Sequence, residues 1–332
     1  MRVRARVAGL AGALTAMVAS LTGCITVHGE TAVVPATTKQ EAQEALDRWV
    51  EVYNDAYSSF DPALSERVER GPMGAIDNAV LRAQQTVNPD GNPDYQPLEL
   101  SDTTLHIPQQ AGWPKFFLAD SAAEGSDSHL LQVFSRNSID EKWYATYLAV
   151  LPANDVPEFA EDEDGFLADI PIGDSVEASG EDAGEGLAMA PGELSGNYAR
   201  YLQEDAEVAA LFADGQFTSD VLANRAEENS TPEYEMHYQD DAADEPENAP
   251  VAVRTEDGGA LVIFATHHFD RQAVAQGYTP TVDPLVEALM EGEAVTQVTR
   301  EWMGMQAALV PEGDGQIDIL SRRAGVISAQ GE

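Results

Sequence analysis

Residues 88–107 read NPDGNPDYQPLELSDTTLHI, and within this stretch the spacing of apolar residues changes from helical to strand-like. The Asn, Pro and Gly residues of its first half end any preceding helix. Beyond them, Leu98 and Leu100 alternate with polar neighbours, and Leu105 and Ile107 flank His106. A period of two is typical of a strand with one buried face. The stretch therefore predicts helices before it and antiparallel strands after it, which is an α+β fold.

The segment before this stretch has the pattern of two helices. Thr38-x-x-Glu41 is a capping-box pattern, and the apolar residues that follow recur at spacings of three and four: Ala42, Ala45, Leu46, Trp49, Tyr53, Ala56 and Tyr57. A second helical stretch begins near Asp61-Pro62 and is interrupted at Gly71-Pro72. Both helices are expected to pack one apolar face on a sheet.

The segments after it predict that sheet and then a second unit of the same order. Strand candidates in the first unit are 116–119, 130–134 and 143–151. The second unit has helical patterns from Pro191 and a short helix at 284–290, with strand candidates at 234–238, 251–255, 260–269, 295–310 and 316–328. The helix-helix-strand order resembles the cystatin-like cone of NTF2-like domains, present twice. It implies two tandem units with helices packed on curved antiparallel sheets.

Composition divides the chain around these units. Residues 24–37 are small and polar, which is typical of a flexible tether. The predicted first domain is 38–170, an acidic, Gly-rich linker follows at 171–186, and the predicted second domain is 187–330.

The N-terminus predicts export. Three arginines lie within the first six residues, and residues 7–21 carry no charge. A membrane-spanning helix needs about 20 apolar residues, so this stretch fits a signal peptide over residues 1–23 instead.

Leu21-Thr22-Gly23-Cys24 resembles the lipobox of bacterial lipoproteins. The resemblance implies cleavage between Gly23 and Cys24 and a palmitate-type diacylglyceryl group on the Cys24 thiol. That lipid would hold the protein at the extracytoplasmic face of the cell membrane. The alternative is an ordinary signal peptide with a chance cysteine. Cys24 is the sole cysteine, so no disulfide forms within the chain.

Several further segments resemble a family of actinobacterial lipoproteins with no assigned activity. They span most of the chain: Val68-Glu69-Arg70-Gly71-Pro72, His106-Ile107-Pro108, Gly112-Trp113-Pro114-Lys115-Phe116-Phe117, Leu187-Ala188-Met189-Ala190-Pro191-Gly192 and Gly325-Val326-Ile327-Ser328-Ala329. This resemblance implies a location and no chemistry.

The charge of the chain bears on its partners. The net charge is −40, and it becomes −43 when the three arginines of the signal peptide leave. Such a chain repels nucleic acid, so we expect no nucleic-acid partner. Its field favours a cation or a basic protein, although solubility alone also explains acidity.

Candidate metal ligands are few. His267-His268 and Asp270 are the densest group, and on a strand only His268 and Asp270 share a face. A metal site usually needs three or four converging ligands. A histidine pair in solvent or in hydrogen bonds is the alternative, and the sequence predicts no metal or cofactor.

A cone-shaped fold would place chemistry between helix and sheet. Residues that could approach such a space are Tyr53, Tyr57, Asp77, His106 and Asp120. The two tyrosines lie one turn apart on the apolar face of the first helix, which also fits a purely structural role.

Three functions remain open. The sequence favours a membrane-anchored, non-catalytic binding or scaffold module. A small-molecule hydrolase or isomerase would need a general acid and base facing a pocket. A solute-binding protein of a transporter would need βα units and a parallel sheet, and the grouped strands argue against it.

Overall fold

A computed structural model describes residues 32–170, 186–229 and 231–332. The predicted signal peptide, Cys24 with most of the tether, and nearly all of the predicted linker 171–186 lie outside the described residues. The described part from Ala32 onward forms one compact unit.

After the two-residue strand β1, the first half has helices and then strands, as its sequence pattern predicts. Its elements are β1 (Val34–Pro35), α1 (Lys39–Ser59), α2 (Pro62–Ser65), α3 (Gly71–Val87), β2 (Leu100–His106), β3 (Gln109–Gln110), β4 (Lys115–Ala123), β5 (Ser128–Arg136) and β6 (Tyr144–Pro152).

The start of α1 confirms only part of the capping-box prediction. The Thr38 side chain accepts a hydrogen bond from the Glu41 amide at 3.1 Å, which satisfies a free donor of the first turn. The Glu41 carboxylate does not turn back to Thr38. It accepts instead from Thr37, Arg136 and Trp143, and so ties the helix to the sheet.

The first sheet is an antiparallel meander in the order β2-β4-β5-β6. Strand β6 is buried along most of its length, as its nearly continuous apolar sequence predicts. Phe117 of β4 stacks on Phe134 of β5 with ring centroids 4.8 Å apart. Both rings are buried in a core cluster that also contains Leu46 and Trp49 of α1.

The second half has short helices and long strands. Its elements are α4 (Leu194–Leu202), α5 (Ser219–Glu228), β7 (Tyr234–Ala242), β8 (Val251–Arg254), β9 (Ala260–Val274), α6 (Pro284–Leu289), β10 (Met290–Gly292), β11 (Gln297–Val310) and β12 (Asp318–Gly331). The Asp257-Gly258-Gly259 turn joins β8 to β9.

The second sheet has the order β10-β12-β11-β9-β7, and β8 also pairs with β9. All of these pairs are antiparallel except β10 with β12. A register shift occurs opposite Glu301 and Trp302, which pair with Ser328 and Val326 and leave Ile327 unpaired. Such a bulge bends a strand.

Alternating residues of β9 pack into two different hydrophobic cores. Leu261, Ile263 and Ala265 join the cluster that contains the side chains of the first half. Val262 and Phe264, on the opposite face, join the cluster formed with α4. The second sheet therefore separates two apolar layers, and one layer contains residues from both halves.

The structure confirms an α+β fold built on antiparallel sheets. The two cystatin-like units and the domain boundaries stay predictions. In the described residues no helix is both long enough and apolar enough to cross a membrane.

Candidate functional site

A cavity of about 730 Å³ lies between α3, α6 and the second sheet, and it is called the α3 cavity below. This volume lies within the range of small-molecule sites. Its walls come from α3, α6 and β9 to β12: Arg82, Gln85, Thr86, Phe269, Ala288, Leu289, Glu291, Thr299, Glu301, Ile327, Ser328, Ala329 and Gln330.

Close packing of α3 on β12 positions one side of this cavity. A Cβ atom at Gly325 would lie 2.7 Å from Cγ2 of Ile76, so only glycine permits this approach. The bulge at Ile327 follows two residues later. Gly325, Ile327 and Ser328 belong to the terminal segment that resembles the lipoprotein family.

Opposite charges line the α3 cavity. Arg82 comes from α3, Glu291 from β10 and Glu301 from β11. Ser328 donates a hydrogen bond to Glu301 at 2.7 Å, which orients that carboxylate. Phe269 pairs with Glu301 across the two strands and adds an aromatic wall.

The cavity walls do not assemble a serine nucleophile with its base. A His–Ser pair activates the hydroxyl by accepting its proton. Here Ser328 donates to Glu301, and His267 Nδ1 lies 3.7 Å from the same carboxylate. The carboxylate therefore occupies the place that the imidazole would need.

A buried ion pair lies at the other end of α3. Arg323 of β12 donates to Asp77, whose side chain is fully buried. Burial raises the pKa of Asp77, and the adjacent guanidinium opposes this rise by favouring the carboxylate. Burial and the charge of Asp77 also raise the pKa of Tyr53 and Tyr57.

Glu69 is a second buried acid near this pair. It accepts hydrogen bonds from Trp49 Nε1 at 2.9 Å and from the Ser65 hydroxyl at 2.6 Å. Burial and the nearby Asp77 carboxylate raise the pKa of Glu69 to about 8. Glu69 is therefore largely a neutral acid at pH 7.

The aromatic residues of α1 lead from these acids to the surface. The Tyr53 ring lies between the rings of Trp49, 4.8 Å away between centroids, and Tyr57, 4.4 Å away, and both pairs are tilted by 34°. Tyr53 also lines a second, more superficial cavity of about 540 Å³ next to Tyr95 and Glu99. Its walls come from α1, the segment before β2 and the turn after β4, and it shares no lining residue with the α3 cavity.

The structure brings some of the predicted pocket residues together and separates others. Tyr53, Tyr57 and Asp77 converge as described. Asp120 instead contacts His129 Nδ1 at 2.6 Å, and His106 packs edge-on against Phe159. Asp120 and His106 both belong to the first sheet, in β4 and β2.

The weak metal candidates His268 and Asp270 have separate partners. Asp270 accepts from Arg300 Nε at 2.6 Å and from Trp302 Nε1 at 2.7 Å. His268 Nδ1 lies 2.6 Å from Asp240 Oδ1. Among the described residues, no group of three or more His, Cys, Asp or Glu side chains has metal-site geometry.

His268 is part of a buried chain of hydrogen bonds. Arg225 donates twice to Asp240, and both distances are 2.7 Å. Because that carboxylate only accepts, His268 Nδ1–H is the donor to it, and Nε2 accepts from the Thr266 hydroxyl at 2.7 Å. Burial lowers the pKa of His268, consistent with a neutral ring.

Asp240, His268 and Thr266 thus follow the order of a catalytic triad, but all three residues are buried. Thr266 is fully buried, and its hydroxyl also accepts from Gln306 Nε2 at 2.9 Å. A nucleophile must reach its substrate, so this arrangement stabilises the sheet rather than performing chemistry.

Glu69, Arg323 and Arg82 are not among the site residues that the sequence predicts. The sequence holds a signal for two of them. Glu69 lies in the Val68–Pro72 segment that resembles the lipoprotein family, and Arg323 is a charged residue within a strand pattern, two positions before Gly325. Arg82 lies on the helix that the pattern predicts, but the residues that face it across the cavity begin only at Phe269, 187 positions later in the sequence.

Comparison with known proteins gives a consistent picture. The family model described as Domain of unknown function (DUF8094) matches residues 33–331. An uncharacterized lipoprotein of Streptomyces avermitilis is 38% identical over 336 residues, covering 100% of this chain and 97% of the relative. One of Streptomyces coelicolor is 40% identical over 322 residues, covering 96% and 94%. Another from that species is 23% identical over 316 residues, covering 90% and 86%.

These relatives confirm the resemblance to actinobacterial lipoproteins. No solved structure matches the chain.

Proposed function

We propose that this chain, which belongs to the family described as Domain of unknown function (DUF8094), is a lipoprotein anchored at the extracytoplasmic face of the cell membrane. Its folded part binds a small cationic ligand in the α3 cavity and does not transform it.

The anchor is supported by the N-terminal sequence together with the relatives. Leu21 to Cys24 has the lipobox pattern after a basic and then apolar segment. Two relatives named as lipoproteins align over nearly the whole chain. The alignment with the Streptomyces avermitilis relative covers 100% of the chain and so includes its N-terminus. Two acyl chains on Cys24 would give stable anchoring.

The anchor is tested by replacing its thiol. We expect Cys24→Ala to leave an uncleaved precursor that carries no lipid, because the lipid is attached to the Cys24 sulfur. Detergent phase separation and metabolic labelling with palmitate measure the change. Thr22→Ser, which keeps a small residue before the thiol, is the matched control. Equal labelling of the wild type and Cys24→Ala would reject the anchor.

The observation that carries the binding proposal is the charged and aromatic lining of the α3 cavity. Glu291 and Glu301 outnumber Arg82, and Phe269, Leu289 and Ile327 supply apolar walls. Carboxylates beside an aromatic face suit an organic cation. The strong negative charge of the chain would also attract such a ligand.

Binding is tested with a matched pair of probes, phenethylamine and 3-phenylpropionate. Calorimetric titration of the full chain should show binding of the amine only. Glu301→Gln should weaken it, Arg82→Gln should preserve or strengthen it, and the remote exposed variant Glu256→Gln should leave it unchanged. If the wild type instead binds 3-phenylpropionate and Arg82→Gln abolishes that binding, a cationic ligand is rejected.

The hydrolase or isomerase alternative makes a different prediction. It requires a general acid and base within reach of a bound molecule. The described lining of the α3 cavity offers Glu301 already held by Ser328, which suits binding better than proton transfer. If the wild type converts a bound amine to product and Glu301→Gln does not, the hydrolase or isomerase alternative is favoured.

A further inference from the structure

All three lysines of this acidic chain lie at one end of the first sheet, although they are far apart in sequence. Lys39 begins α1, Lys115 begins β4, and Lys142 lies in the loop between β5 and β6. The register pairs Lys115 with Arg136 at the end of β5, so the start of β4 and the β5–β6 loop meet at the same edge.

Contacts tie the three segments together there. Arg136 and Trp143 both donate to the Glu41 carboxylate on the first turn of α1, at 2.9 and 3.2 Å. Lys115 Nζ donates to the carbonyl oxygens of Val34 and Gln110. The first described residues of the chain therefore reach the same end.

This end also exposes large apolar side chains. Val33 is 61% exposed, Val34 45%, Trp113 41% and Ile139 68%. The Trp113 ring lies 5.7 Å from Lys115 Nζ and 5.4 Å from the Arg136 guanidinium. An amphipathic aromatic beside cations is typical of a membrane interface.

Acids also lie near this end, since Asp162 and Asp169 accept hydrogen bonds from Gln109 and Gln110 of β3. Glu41 pairs with Arg136, and Glu141 lies 3.7 Å from Arg70. Asp140 is an exposed acid of the same loop. Lys39 and Lys142 are exposed, and neither forms an ion pair within the described part of the chain.

Chain length places this end close to the proposed anchor. Cys24 precedes Ala32 by eight residues. A fully extended chain spans at most about 3.6 Å per residue, so Ala32 lies within about 30 Å of a lipid on Cys24.

We propose that this end, called the lysine end and formed by Val33, Val34, Lys39, Trp113, Ile139 and Lys142, rests on the outer surface of the lipid bilayer. Trp113 and Ile139 enter the headgroup region, and Lys39 and Lys142 face anionic phosphates. The inference rests on the proposed lipid anchor and adds an orientation to it.

Screening explains how an acidic protein adopts this orientation. The Debye length is about 8 Å at physiological ionic strength, so charges far from the bilayer are screened. The side chains that touch the bilayer then decide the orientation, and the six residues of the lysine end include two exposed lysines and no acid. The rest of the chain, which carries the large excess of acids, faces away from the membrane.

Tryptophan quenching tests this contact. The full lipidated protein is reconstituted into vesicles of phosphatidylglycerol and phosphatidylcholine, the latter brominated along its acyl chains. Bromine quenches only tryptophans that reach the bilayer. We expect quenching in the wild type and its loss in Trp113→Phe. Trp302→Phe, which removes a partly exposed tryptophan of the second sheet, should keep it.

A charge variant tests the role of the lysines. Lys39→Glu with Lys142→Glu should reduce the quenching of Trp113, and omission of phosphatidylglycerol should reduce it in the wild type. Arg271→Glu with Arg200→Glu makes the same charge change in the second half of the chain and should have no effect.

The outcomes separate the two proposals. If the protein binds the vesicles but the wild type and Trp113→Phe are quenched equally, the orientation is overturned and the anchor is retained. Protein that does not associate with vesicles would overturn the anchor and the orientation together. Unquenched Trp113 that crosslinks to another protein in intact cells would assign this end to a protein partner and overturn the membrane contact.

Discussion

Asp77 on α3 and Arg323 on β12 form an ion pair although 246 positions separate them in the chain. The pair joins a helix of the first half to a strand of the second. Ile76 and Gly325 make the adjacent contact, so charge and close packing fix the same two elements.

Loss of Arg323 should destabilise the fold strongly. Arg323→Met leaves the fully buried Asp77 without its counter-charge, and we expect the free energy of unfolding to fall by about 3 kcal/mol. Urea denaturation measures it. Adding Asp77→Asn should recover part of the loss. Arg200→Met, which breaks exposed ion pairs, is the control and should change the midpoint little. Equal effects of the two single variants would contradict a structural ion pair.

Glu69 should make stability depend on pH. Its pKa is about 8 in the folded protein and near 4.5 when unfolded, so the folded state binds more protons between these values. Stability therefore falls as pH rises through this window, by at most about 1.4 kcal/mol per pH unit. The Gln side chain of Glu69→Gln is neutral at every pH, so the stability of this variant should lack the pH dependence that Glu69 causes.

The measurement is urea unfolding of the wild type and Glu69→Gln from pH 5 to pH 8. The difference between their stabilities should shift steadily in favour of Glu69→Gln. Glu51→Gln, an exposed change on α1, controls for the removal of one negative charge. Parallel stability curves for the wild type and Glu69→Gln would show that Glu69 does not titrate in this range.

Much of the secondary structure was predictable because it depends on local spacing. Ala42, Leu46 and Trp49 recur on one face and are buried in α1, and the apolar run of β6 is covered. The α3 cavity and the ion pair at the other end of α3 were less predictable. Asp77 and Arg323 are 246 positions apart and meet only in the folded chain. The bulge at Ile327 depends on pairing between strands, which no single segment encodes.

Gly325 should be intolerant of a side chain. A Cβ atom there would lie 2.7 Å from Ile76, which is buried and branched at Cβ and so has little freedom to move. We expect Gly325→Ala to cost about 1–3 kcal/mol of unfolding free energy. Gly196→Ala is the matched change in α4, where nothing lies within 4 Å, and it should stabilise by about 0.5–1 kcal/mol. Similar effects at both positions would contradict close packing of α3 on β12.

Thr266 should matter for its hydroxyl rather than its shape. Thr266→Val leaves His268 Nε2 and Gln306 Nε2 buried without their shared partner, at a cost of about 1–3 kcal/mol for each group. Thr266→Ser keeps the hydroxyl and loses a methyl group, so a cost of about 1 kcal/mol is expected. Thermal and urea unfolding of both variants give the comparison. A stable Thr266→Val protein would show that water replaces the hydroxyl and that the network is open to solvent, which would revive a catalytic role for His268.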